Sequence, residues 1–124
     1  MFEAQLLLAP PSQGTSYKVF SPWFPRQGDN AIFTIETVEQ NGSPTLDVHV
    51  FTKNSEDATD GSDAAAGTYL TASTTAGERD SDTWAQNLKE LVRYEFTITT
   101  TTGSGEWILF RMLPPVWFDD VHQA

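Results

Sequence analysis

A chain of 124 residues, 39% hydrophobic, with eight Phe, four Trp and three Tyr, can build one core and is not a disordered segment. Seventeen acidic against seven basic residues leave a net charge of -10, which opposes nucleic acid and anionic membranes as partners and suits a basic protein surface or divalent cations. With no cysteine, disulfides, thiolate catalysis and cysteine-held metals are excluded.

Residues 2–8, FEAQLLL, are expected to form a first strand that Pro10-Pro11 ends. Phe2, Ala4, Leu6 and Leu8 share one face, and Leu7 points the other way. No Lys or Arg opens this short apolar run, so it does not read as a secretory signal. No stretch approaches the roughly 20 apolar residues of a membrane span. Synthesis in the cytosol without a signal peptide is the expectation. Residues 16–20, SYKVF, are expected to form a second strand. In FSPWFPRQG, residues 20–28, Trp23-Phe24 stands between two prolines, which remove ladder donors and stiffen the backbone.

Residues 31–38, AIFTIETV, and 45–52, TLDVHVFT, alternate with period two. Between them Asn41-Gly42 is a strong hairpin signal, because both residues tolerate the positive φ of a type I′ turn. The register centred there pairs Phe33 with Val50, Ile35 with Val48 and Thr37 with Leu46, and sets Glu36 near Asp47 on the outer face.

Residues 54–66, NSEDATDGSDAAA, and 74–83, TTAGERDSDT, are expected to be loops. Asp57, Asp60 and Asp63 recur every three residues beside Glu56, an oxygen-rich set of the kind calcium uses. The spacing is not that of an EF-hand, so a solvated loop without metal is expected. Residues 67–73 fit a short edge strand. In DSDTWAQNLKEL, residues 80–91, Trp84, Leu88 and Leu91 have helical spacing behind a capping Ser81 or Asp82, which predicts one short helix around 82–90.

Residues 90–100, ELVRYEFTITT, and 106–113, EWILFRML, form the second expected hairpin, turning about Gly103. It pairs Phe96 with Phe110, Ile98 with Ile108 and Tyr94 with Met112, and sets Glu95 opposite Arg111. Its outer face, with Trp107, Leu109 and Leu113, is unusually apolar. The chain then gives LPPVWFDD, residues 113–120, a second Trp-Phe pair beside proline. His49 beside Asp47, and His122 after Asp119 and Asp120, read as exposed polar groups. No G-x-S-x-G turn, P-loop or cofactor motif is present, and no catalysis is expected.

These patterns predict an all-β fold: an antiparallel β-sandwich, jelly-roll-like or Greek key, with seven or eight strands. It would form a single domain over 1–124 with proline-stiffened arms at 20–28 and 113–124. The two Trp-Phe pairs could plug the core, form a sugar platform or line a subunit seam. The apolar surplus favours a seam built from Trp23, Phe24, Trp107, Leu109, Leu113, Trp117 and Phe118. In general build, being cysteine-free, acidic and Thr-rich with stiff arms, the chain resembles the small capsid-decorating and tail-associated proteins of bacteriophages, although no specific motif carries the likeness. The resemblance implies a non-enzymatic structural protein, a homo-oligomer that binds its own copies and a neighbouring protein lattice such as a capsid, and ends in a virion. The alternative is a carbohydrate-binding β-sandwich module using exposed Trp23 or Trp117.

Overall fold

The computed structural model describes residues 5–9, 16–56, 62–63, 69–84, 88–101 and 105–119. The strands are β1 (Gln5–Leu8), β2 (Ser16–Phe20), β3 (Phe24–Pro25), β4 (Asn30–Asn41), β5 (Thr45–Lys53), β6 (Ser62–Asp63), β7 (Tyr69–Thr71), β8 (Arg79–Trp84), β9 (Leu91–Thr99), β10 (Trp107–Met112) and β11 (Val116–Phe118). They form two antiparallel sheets. The first runs β1-β10-β4-β8, with β11 continuing the line of β10 along β4. The second runs β2-β9-β5-β7, with β3 continuing β2 along β9 and β6 continuing β7 along β5.

Setting the continuation strands aside, eight strands remain among the described residues, first to eighth along the chain. One sheet orders them first, eighth, third, sixth; the other second, seventh, fourth, fifth. That is the jelly-roll order, and it makes almost every connection cross from one sheet to the other. The core lies between the sheets. Phe33 and Ile35 from β4, with Ile108, Phe110 and Met112 from β10, meet Leu46, Val48 and Val50 from β5 and Val92, Tyr94, Phe96 and Ile98 from β9, all buried. Withdrawing each such side chain from water is worth about 1.5–3 kcal/mol.

Both expected hairpins are overturned. β4 lies in the first sheet and β5 in the second, and the same separates β10 from β9. Period-two alternation reports which residues face the core, not which strand lies alongside. The inward sets of both hairpins are buried as expected, but they oppose one another across the sandwich. Phe96 and Phe110 do touch, with centroids 5.1 Å apart, one ring from each sheet. The outer-face pairings dissolve with the hairpins. Glu36 binds Arg79 and Arg111 instead of lying beside Asp47. Glu95 lies 3.8 Å from Lys18 instead of opposite Arg111.

The Asn41-Gly42 signal marks a crossing between sheets. Gly42 has φ 77°, and no described non-glycine residue has positive φ, so the type I′ turn is not formed. A Cβ at Gly42 would come within 2.6 Å of Glu106 Cγ, because the Glu106 side chain lies against the turn. Its Oε2 accepts the Ser43 N–H at 2.9 Å and the Thr101 hydroxyl at 2.9 Å, and its Oε1 accepts the Thr101 N–H at 2.5 Å. Asn41 Nδ2 donates to the Gly105 carbonyl at 2.8 Å. One carboxylate therefore staples the two crossovers that resemble hairpin turns. These donors hold the Glu106 carboxyl below the usual glutamate range, the Ser43 amide contributing most.

The described residues of the expected helix around 82–90 are not helical, since Arg79–Trp84 is strand β8, paired with β4 from Ala31 to Glu36. Trp84 and Leu88 are buried, but from an extended strand and the segment after it. Half of the expected loop 74–83 is thus strand, because β4 leaves an edge that its polar residues can pair without burying. In the other expected loop, Asp57 and Asp60 lie outside the described residues.

Candidate interaction surfaces

The two Trp-Phe stretches divide their aromatics between core and surface. In the first, Ser21 bridges the break at Pro22: its N–H donates to the Tyr94 carbonyl at 3.0 Å, and its hydroxyl accepts the Tyr94 N–H at 2.9 Å. Pairing then resumes with Phe24 opposite Val92, an inward position, and Phe24 is buried. In the second, Trp117 sits opposite Ala31, also inward, and packs against the core. Rings from both stretches meet, with Phe24 and Trp117 6.5 Å apart and Phe33 6.4 Å from Trp117. Phe24 is a core residue and can add nothing to a seam. Trp117 is mainly a plug. Trp23 and Phe118 point outward.

The outer face of the first sheet carries most of the expected seam. Trp107 and Leu109 alternate outward from β10, with Leu113 beyond its end, all half-buried. Leu7 pairs beside Leu109 and is 60% exposed. A second apolar strip follows β11, where Val116 pairs beside Ile32 at 59% exposure and Phe118 is 36% exposed. Between the strips runs an ion cluster. Glu36 accepts from Arg111 Nε at 2.5 Å and from Arg79 Nε at 3.0 Å. The Arg79 and Arg111 hydrogen bonds hold the Glu36 carboxyl below its usual range.

The outer face of the second sheet presents a different surface. Arg93 on β9 has its guanidinium carbon 4.2 Å from the centre of the Phe20 ring, 4.7 Å from Trp23 and 5.8 Å from Phe51. Lys53 Nζ lies 5.0 Å from the Trp23 ring centre. Phe20 and Phe51 meet edge to face, with centroids 6.2 Å apart. These residues come from β2, the β2–β3 link, β9 and β5, so only the strand order brings them together. Phe51, Lys53 and Arg93 all occupy outward positions of the period-two pattern. That pattern was the only available signal, and without the partner strands it could not group them.

No three His, Asp or Glu side chains gather into a metal-holding group among the described residues. Asp120 and His122 lie outside those residues. Asp47 accepts the Thr71 hydroxyl at 2.9 Å. Among the described residues no helix is long and apolar enough to cross a membrane. A scan against protein-family models matches none of them, and searches of curated proteins and of solved structures find no match.

Proposed function

We propose that this protein is a non-enzymatic assembly component, of the kind found in virions, that binds its own copies and a neighbouring protein lattice through the outer face of its first sheet. The observation that carries this reading is the pair of exposed apolar strips there, Leu7 with Leu109 and Val116 with Phe118, flanking the Glu36 ion cluster. Exposed apolar surface of this kind marks contacts. Jelly rolls occur in viral capsids and in lectins, so the fold accommodates the role without specifying it. The sugar-platform alternative is disfavoured, because two cations already lie over the Trp23 ring and Trp117 is packed against Phe24 and Phe33.

The test is mass in solution by light scattering over a concentration series. Copies with a net charge of -10 repel one another, so association through apolar strips should strengthen as salt screens that repulsion. Leu7→Asp should return the protein to monomer while thermal unfolding stays unchanged. A wild-type protein that remains monomeric at every concentration and salt level, and does not cosediment with any lattice, would end this reading.

A further inference from the structure

The Arg93 box is anomalous in its charge pairing. Each of the other three arginines faces a carboxylate: Arg26 lies 3.4 Å from Asp29, and Arg79 and Arg111 clamp Glu36. Arg93 makes no ion pair with any described residue, in a chain where acids outnumber bases by 17 to 7. Its Nε is sealed from solvent without a hydrogen-bond partner among the described residues. Three rings hold the guanidinium plane, which lowers the entropy lost when its fork engages a ligand. A partly desolvated cation with no counter-charge among the described residues attracts an anion from outside. Planar, bidentate donors match a carboxylate.

We propose that Arg93, framed by Phe20, Trp23 and Phe51, receives a carboxylate side chain presented by an acidic segment of a partner protein. The charge complementarity is local, because the chain as a whole repels anions. Protein is favoured over an acidic sugar because a sugar would stack on a ring face, and here guanidinium and ammonium already lie over the rings. The site is on the sheet opposite the apolar strips, so it stands or falls independently of the assembly reading.

The experiment measures binding of a labelled short polyglutamate peptide to the full chain at low salt, by fluorescence anisotropy, with a short oligogalacturonate as the competing source of carboxylate. The peptide should bind saturably and more weakly as salt is added, the opposite salt trend to association through the apolar strips. Arg93→Gln should weaken binding about tenfold. Arg93→Lys, which keeps the charge and loses the fork, should fall between, with thermal unfolding showing that both variants are folded. No peptide binding, binding unchanged in both variants, or binding of the oligogalacturonate in place of the peptide would each overturn the proposal.

Discussion

The two Trp-Phe stretches share a composition and part company in space. In the first, Phe24 enters the core and Trp23 turns outward beneath Arg93 and Lys53. In the second, Trp117 packs inward and Phe118 turns outward. The difference is one of register. Adjacent residues in extended chain point to opposite faces, and pairing to Val92 or to Ala31 decides which aromatic goes in. The segments also dock on each other. The Asp29 N–H donates to Asp119 Oδ1 at 3.0 Å, and a Cβ at Gly28 would come within 3.1 Å of the Phe118 backbone. The stretches resemble two separate arms in the sequence, but together they close one end of the sandwich. A shared motif is therefore poor evidence of a shared role.

Substitutions can break this contrast, beginning with the largest effect. Phe24→Ala should destabilise by about 3–5 kcal/mol, measured by chemical denaturation, since it empties a buried ring site. A loss under about 1 kcal/mol would remove Phe24 from the core. Trp117→Ala should lose about 2 kcal/mol, less than Phe24 because its ring is only partly withdrawn from water. Gly28→Ala should lose about 1–2 kcal/mol by forcing the docked segments apart, and a neutral result would mean that they are not held together. Acid offers a comparison outside the arms. Glu36 and Glu106 have depressed carboxyl pKa values, so their contribution to stability is present above the ordinary glutamate pKa and is lost as pH falls through the depressed values. Thermal melts should therefore drop below about pH 4. Glu106→Gln should make that drop shallower, whereas Phe118→Ser should leave it unchanged. Phe118→Ser should also alter stability by less than about 0.5 kcal/mol, while reducing the association seen by light scattering.

Much of the fold was legible in advance, for physical reasons that particular residues illustrate. Alternation in 31–38, 45–52, 90–100 and 106–113 identified Phe33, Ile35, Val48, Phe96 and Phe110 as inward, and all are buried. It also placed Trp107 and Leu109 on an outer face. It could not name neighbours, because a jelly roll and a chain of hairpins impose the same alternation on each strand. Asn41-Gly42 misled because Gly42 alone adopts positive φ, and the turn is held by Glu106 from a distant loop. Trp84, Leu88 and Leu91 had helical spacing, but the open edge of β4 took Trp84 into strand β8, and Leu91 begins β9 in the other sheet. The Arg93 box was invisible because Phe20, Trp23, Phe51 and Arg93 become neighbours only through strand order.

The pairing of β1 with β10 places Leu7 beside Leu109. Strand β1 thus waits until β10 is made before it gains the strand to which it hydrogen-bonds. Central β4 likewise stays unpaired on one side until β8 emerges, and on the other until β10 does. Few pairings are local, so folding should be slow, and the nascent chain must carry open strand edges until β8 and β10 are made. A chain halted before Trp107 would keep those edges permanently, which makes incomplete translation products the species most prone to aggregate.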